Sequence, residues 1–274
     1  MRLALDHMTV VDTTPVQLAE AARGVGCDAL CLFMQPMDVL PLMPHFDIIG
    51  DRAARRDLKA RMDGLGVALD LAYPFTLAGR TVVTDFAPAF ECAAELGAGL
   101  LNVLVYDRDP ARRTDTFAAF CDAARGFGLR VAVEFYPASQ VRSLADALAL
   151  VGPVARPGEV GINADLLHLM RSGGSIAELA AAPPGTILYG QFSDGPADCP
   201  DGDIEGEASS RRLLPGEGSF DLAGFARALP DGCPVSVEIP RNALVESGVT
   251  VAERARMAVG AVRCALAQDQ NRAI

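Results

Sequence analysis

Short runs of apolar residues alternate along this chain with longer, alanine-rich stretches in which apolar positions recur every three or four residues. The first pattern suits β-strands and the second amphipathic helices. The strand runs are RLALDHM (2–8), DALCLFM (28–34), ALDLAYPF (68–75), LLNVLVYD (100–107), RVAVEFYP (130–137), EVGINAD (159–165), TILYGQFSD (186–194) and PVSVEIP (234–240). Several are almost continuously apolar, as expected of parallel strands covered on both faces. The helical stretches carry their own punctuation. One opens at Pro15 behind Thr13 and Thr14 and stops at Gly24 or Gly26. A second, within TDFAPAFECAAELGA, stops at Gly97. A third has Asp109 at its cap and Pro110 at its first position, and stops at Gly126 or Gly128. Proline fits a first turn because the amide it lacks has no partner there, and glycine fits the left-handed residue that ends a helix. A last helix is expected from about Thr250 to Gln268.

Eight strand–helix units in succession predict one α/β domain, a single (β/α)8 TIM barrel over residues 1–268, with 269–274 as a short tail. The chain has 274 residues and is 50% hydrophobic, which supports one large core. No stretch rich in Pro, Gly or Ser divides it. One connection stands out: SDGPADCPDGDIEGEASSRRLLPGEGSFDL, residues 193–222. Loops of this length in compact domains are functional or disordered. Its first half is acidic, and it ends in Arg211, Arg212 and a PGEG turn. It reads as an active-site loop with a positively charged inner edge.

In such a barrel the reactive groups sit at the C-terminal ends of the strands. Here four consecutive strands carry an acid or amide there: Glu134 in VAVEFYP, Asp165 in GINAD, Gln191 in LYGQFSD and Glu238 in VSVEIP. Closing the barrel brings the four together at one mouth. Three carboxylates in one partly buried pocket repel each other and stay ionised only beside a compensating cation. An oxygen-only set suits a hard divalent ion, Mg²⁺ or Mn²⁺, better than zinc. His168 follows Asp165 by three residues and is expected to face whatever the metal holds. A lone acid at a strand end is ordinarily a solvated loop residue or a helix cap; the succession of four is what points to a metal. His7, at the end of the first strand, is a candidate for the same mouth, and Arg212, beside the PGEG turn, for a clamp on an anion or hydroxyl of the substrate. His45 reads as a loop residue.

These residues resemble a known group. Glu on the fifth strand, "D..H" on the sixth, "Q.SD" on the seventh, "R..PGEG..DL" and then "VE" on the eighth are similar to the sugar phosphate isomerase/epimerase family, within the xylose isomerase-like TIM barrel superfamily. The likeness runs from about residue 2 to 265 and is most specific from Glu134 onward. It implies a divalent metal (Mn²⁺ or Mg²⁺, with Co²⁺ possible) held by Glu134, Asp165, Gln191 and Glu238, with His168 and Arg212 on the substrate. Many sugar epimerases of the group have His where this chain has Gln191. Bacterial 3-dehydroshikimate dehydratases resemble this chain in that Gln, in "D..H" and in the Arg before the PG.G turn. The implied activity is an isomerase or epimerase that removes a proton next to a carbonyl through a metal-stabilised enediolate, with a dehydratase acting on 3-dehydroshikimate or an inosose as the alternative. Glu134 and Glu238 would serve as the acid–base pair, or His168 as the base. The substrate would be a small carbohydrate, cyclic polyol or keto acid, and barrels of this group often pair as dimers.

Charge and cysteine content narrow the field. The formal net charge is -11, which repels phosphate backbones and anionic lipid, so nucleic acid and membrane are poor partners. A metal-dependent endonuclease on the same barrel would need several histidines and a basic face; this chain has three histidines. A non-catalytic sugar-binding barrel would have its acid set broken, and here the set is intact. Seven scattered cysteines make a disulfide framework improbable and favour a reducing cytoplasm; Cys27 and Cys31 read as small apolar residues.

Overall fold

The computed structural model describes residues 2–154, 156–199 and 201–272. Eight parallel strands close into a barrel in sequence order: β1 (Leu3–Asp6), β2 (Ala29–Phe33), β3 (Ala68–Leu77), β4 (Leu100–Val105), β5 (Val131–Glu134), β6 (Val160–Asp165), β7 (Ile187–Phe192) and β8 (Val235–Val237), with β8 pairing back onto β1. Helices pack outside. In chain order they are α1 (Pro15–Gly24), α2 (Arg52–Leu65), α3 (Ala87–Leu96), α4 (Pro110–Arg125), α5 (Leu144–Val151), α6 (Leu166–Arg171), α7 (Ile176–Ala180), α8 (Ile204–Ser210), α9 (Leu222–Ala228), α10 (Asn242–Glu246) and α11 (Val251–Arg272). The barrel expected from the sequence is therefore the fold observed. The last helix runs past Gln268 into the segment expected as a tail, and residues 273–274 lie outside the described residues.

The helix ends follow their local chemistry. Thr14 and Gln17 form a reciprocal cap at the start of α1, and Asp109 accepts the Arg112 amide at the start of α4. Gly97 ends α3 at φ 78°, a left-handed conformation that costs a side-chain-bearing residue energy. No helix among the described residues is long and apolar enough to cross a membrane. All seven cysteines are free.

Strand alternation sorts the core into two parts. Leu3 and Leu5 of β1, and Leu30 and Leu32 of β2, belong to the large apolar layer between barrel and helices. The residues between them, Ala4, Ala29 and Cys31, belong with Leu71, Leu100, Ala132 and Tyr189 to a smaller cluster that fills the barrel interior. Successive side chains on a strand point to opposite faces, so one parity faces helices and the other faces the axis. Towards the C-terminal ends of β4 to β8 the inward parity turns polar, and this change makes the site.

The outer layer is anchored where α3 and α4 cover β3. Phe120 meets Phe75, Phe86 and Phe90 with ring centroids 5.6, 5.2 and 5.0 Å apart, mostly edge to face. Such pairs add to simple burial because ring edges and faces carry opposite partial charge. Phe120→Ala should therefore lower the unfolding free energy by about 3–5 kcal/mol. Urea denaturation would measure it; a loss below 1 kcal/mol would show that the cluster is not a principal support of this side of the barrel.

Candidate metal centre and active site

Glu134 is the last residue of β5, Asp165 the last of β6, Gln191 lies one residue before the end of β7, and Glu238 follows β8 directly. All four are buried. Asp165 has two local roles. It ends its strand and caps α6, its Oδ1 accepting the His168 amide at 2.9 Å. Strand thus passes into helix with no intervening loop, which fixes His168 one turn above Asp165. The His168 ring packs on Tyr136, and its Nε2 lies 3.4 Å from Glu134 Oε1. Its Nδ1 is buried without a hydrogen-bond partner. Glu134, Asp165 and His168 each offer a potential ligand atom, and these atoms lie within 4.8 Å of one another.

Arg212 reaches into the same space. Its Nη1 donates to Asp165 Oδ2 at 2.5 Å and its Nη2 to Glu238 Oε1 at 2.9 Å. Nε donates to the Ala208 carbonyl, and the Arg212 amide to the Pro240 carbonyl, so the side chain is held from both ends. Arg212 is 2% exposed. The other Glu238 oxygen, Oε2, accepts from Gln191 Nε2. Burial works against ionisation of Asp165, but Arg212, with help from His168, holds its carboxyl below its ordinary value. Burial pushes Glu238 well above the usual carboxylate range; Arg212 opposes this, while Asp6, Asp165 and Glu134 reinforce it.

The balance of charge favours a cation. Among the described residues, three acids (Glu134, Asp165 and Glu238) lie with one guanidinium, which pairs with Asp165 and Glu238, and one imidazole, which faces Glu134. The sign and density of the donors fit a divalent ion. Glu134, Asp165, Gln191 and Glu238 converge as the sequence predicts, and the structure adds His168 as a group close enough to ligate.

Two expectations are corrected. His7, a candidate for the substrate, does not line the mouth. β1 ends at Asp6, and the tight turn His7–Val10 carries the ring away, where it bonds the Thr13 carbonyl at 2.9 Å and packs against Phe33 and Phe46. Burial lowers its pKa to about 4, against the pull of the Thr13 bond, so it is neutral. Arg211 does not form a positive inner edge, because it turns outward to Asp201 and Asp203.

The long loop is ordered around one acid. Asp194 accepts the backbone amides of Gly195, Gly216, Gly218 and Phe220, tying the PGEG turn to the end of β7. Gly218 is required there, since a Cβ would lie 2.3 Å from both Asp194 Oδ1 and the Gly195 carbonyl oxygen. α8 is pinned by a two-pronged pair, Arg171 to Glu207, at 2.6 Å for each contact. The loop covers one side of a cavity of about 470 Å³. Glu134, His168, Arg212 and Glu238 form its polar wall, and Met8, Phe33, Met37, Val39 and Leu40 an apolar wall opposite.

Four further polar residues were not singled out from the sequence. Asn102 donates to Glu134 Oε2, and Asn163 donates to Gln191 Oε1. Tyr73 donates to Asp6, whose pKa burial raises to about 7 against the pull of Tyr73, Met8 and Arg212. The available signal was parity: Asn102 falls two residues after Leu100, and Asn163 two before Asp165, both on the inward face.

Comparison with known proteins agrees with this fold. A 3-dehydroshikimate dehydratase from Pseudomonas aeruginosa is 27% identical over 256 residues, covering 87% of this chain. The chain spans 38% of that relative's length. Among solved structures, one described as the IOLI protein with a binding zinc atom superposes with a TM-score of 0.79 at 21% identity, covering 98% of this chain and 99% of the other. A D-psicose 3-epimerase solved in the presence of D-fructose gives a TM-score of 0.73 at 14% identity, covering 97% and 99%. At those identities the two structures speak to the fold alone. The model of one enzyme family, described as xylose isomerase-like TIM barrel, matches residues 19–258, and the chain belongs to that family.

Proposed function

We propose that the protein is a divalent-metal-dependent enzyme that removes a proton from a carbon next to a carbonyl and then eliminates a neighbouring hydroxyl as water. The observation that carries the metal-dependent reading is the convergence of three buried acids, Glu134, Asp165 and Glu238, beside a single guanidinium that pairs with only two of them. Glu134, Asp165 and Glu238 would hold the ion, and Gln191 would join them on turning its oxygen, which here accepts from Asn163, towards the acids; Mn²⁺ or Mg²⁺ suits these oxygens, and Co²⁺ suits the set if an imidazole joins it. When bound, such an ion polarises the substrate carbonyl as a Lewis acid.

The chain's own groups supply the rest. His168 lines the cavity with one nitrogen towards Glu134 and the other without a protein partner. A neutral imidazole so placed can take a proton from carbon and deliver it to the leaving hydroxyl. The carbon–hydrogen electron pair becomes the new double bond, and the hydroxyl leaves with that proton as water. Arg212 orients the Asp165 and Glu238 carboxylates and presents its guanidinium to the cavity. The apolar wall excludes water and suits the less hydroxylated edge of a carbocyclic substrate better than a fully hydroxylated sugar.

Isomerisation or epimerisation is the second reading. It needs a second group free to return the proton to another carbon or to the opposite face. Glu238 is the candidate, but its oxygens already accept Arg212 and Gln191. Together with the likeness to a 3-dehydroshikimate dehydratase, this weighs towards dehydration of a β-hydroxy ketone such as 3-dehydroshikimate. A panel of 3-dehydroshikimate, inososes, hydroxypyruvate and ketohexoses with added Mn²⁺ tests the choice. Dehydration of the cyclic ketones is the expected result; turnover of ketohexoses alone would establish the second reading.

His168→Ala should retain the metal, measured by elemental analysis, and lose roughly 10²-fold or more in kcat, as for removal of a general acid or base. Loss of the metal would instead make His168 a ligand.

Arg212→Met should destabilise the metal-free protein by about 3–5 kcal/mol, because it strands Asp165 and Glu238 without their buried partner. Mn²⁺ should restore most of that loss. A melting temperature unchanged from wild type without metal would show that the carboxylates do not depend on Arg212.

A further inference from the structure

The six-residue helix α6 makes contacts with the site at both of its ends. At its start Asp165 caps the helix and fixes His168. At its end Arg171 crosses to the covering loop. Its Nε donates to Glu207 Oε2 and its Nη2 to Glu207 Oε1, each at 2.6 Å. Nη2 also donates to the Pro196 carbonyl at 2.8 Å, and Nη1 to the Ala197 carbonyl at 3.2 Å. The guanidinium carbon lies over the Phe220 ring, 5.3 Å from its centroid. One side chain thus holds three separate stretches of the loop: its start, α8 and its end. Gly195 leaves the room for this, since a Cβ there would lie 3.2 Å from Arg171 Nη2 and 2.7 Å from the Phe220 ring. The Arg171 and Glu207 side chains are each 5% exposed. An exposed ion pair would contribute little, but here water is excluded and the planar fork fixes direction as well as charge.

From Glu207 the contacts run on to Arg212. The next residue, Ala208, accepts Arg212 Nε at its carbonyl at 2.9 Å. Arg212 Nη1 then returns to Asp165, the residue that caps α6. The contacts close a ring: Asp165, α6, Arg171, Glu207, Ala208, Arg212 and Asp165 again. The backbone beside Arg212 is anchored separately. Leu213 exchanges both backbone hydrogen bonds with Asp194, and the Arg212 amide donates to the Pro240 carbonyl. Those bonds fix where the Arg212 backbone lies, whereas Ala208 fixes where its guanidinium points. The second anchor belongs to α8, a helix of seven residues, too short to be stable without tertiary contacts.

We infer that Arg171 is a positioning residue: by holding α8 against α6 it aims the Arg212 guanidinium at Asp165 and Glu238. It does not touch the cavity itself and acts through Glu207 and Ala208. Because Glu205, Gly206, Ala208 and Ser209 of α8 line the cavity, releasing α8 would open one wall and loosen Arg212 together. The consequence for turnover rests on the reaction proposed above; the placing of Arg212 does not. Displacing a substrate-facing group by about 1 Å can cost on the order of 100-fold in rate, so a residue outside the cavity can matter for the chemistry within it.

The test reads Arg212 directly in the full chain. Nuclear magnetic resonance of ¹⁵N-labelled protein follows the arginine Nε–H signals, and the Arg212 signal is identified by its loss in Arg212→Lys. Wild type is compared with Arg171→Lys, which keeps the charge but not the fork, and with the double variant Arg171→Met/Glu207→Met, which leaves no stranded carboxylate. In both variants the Arg212 Nε–H should exchange with solvent roughly 10-fold or more faster, the scale expected when charge-assisted bonds are lost from a local opening. The backbone amides of residues 204–210 should lose protection, while those of Leu213, Gly216 and Gly218, held by Asp194, should keep theirs. With the cyclic ketones and Mn²⁺, kcat/KM should fall roughly 10–100-fold in both variants. An Arg212 signal exchanging at the wild-type rate in either variant would overturn the inference, and so would full rescue of turnover by Arg171→Lys. Absence of turnover by the wild-type protein on every substrate of the panel would overturn the proposed reaction, and the Arg212 signal would still decide the placing.

Discussion

The mutual repulsion of three buried carboxylates is the constraint on which the rest of this molecule depends. Glu134, Asp165 and Glu238 are brought to one end of the barrel by strand geometry, in a space where desolvation and like charge both favour neutralisation. Arg212 answers part of that demand, with a donor on Asp165 and another on Glu238. A guanidinium suits the task because its donors form a rigid fork and it stays charged under burial. The rest of the demand is what a divalent cation would meet, so the feature that makes the site costly to fold is the feature on which the proposed cation binding rests.

The amides beneath the carboxylates belong to the same problem. Asn102, Asn163 and Gln191 occupy inward positions that alanine, leucine or valine could have filled, as Ala132 and Leu100 do nearby. Hydrogen bonds to an ionised group are stronger than those between neutral groups, and they stabilise the charged form without adding net charge. Asn102 offers such a donor to Glu134, and Gln191 to Glu238. Their presence changes the barrel centre from a simple apolar plug into a support for the acids above it.

The covering loop is built on the same logic at a smaller scale. Asp194 gathers four backbone amides that would otherwise lack partners, and the Arg171–Glu207 pair fastens α8 over the cavity. This is a loop with a fixed shape rather than a free strap, and the fixed shape delivers Arg212. Opposite it, the apolar wall of Met8, Phe33, Met37, Val39 and Leu40 leaves Arg212, among the described residues, as the one guanidinium at the cavity wall. A substrate with a polar reacting edge and a plainer back suits such a cavity.

The sequence alone determined the barrel and its mouth. Local signals were enough: eight apolar runs, prolines and glycines at helix ends, and an acid or amide at four successive strand ends. These are properties of spacing, and spacing survives in one dimension. Sequence also named Arg212, because the PGEG turn beside it marks a shaped loop. What it could not decide was which way side chains turn where chain direction changes. His7 sits one residue beyond β1, and a single tight turn sends it into the shell instead of the mouth. Arg211 and Arg212 are adjacent, yet one faces solvent and the other is buried between two acids. Asn102 and Asn163 lie 61 positions apart, and only closure of the barrel puts them in one hydrogen-bonded line. Those outcomes depend on contacts between distant segments, and such contacts exist only once the tertiary structure has formed.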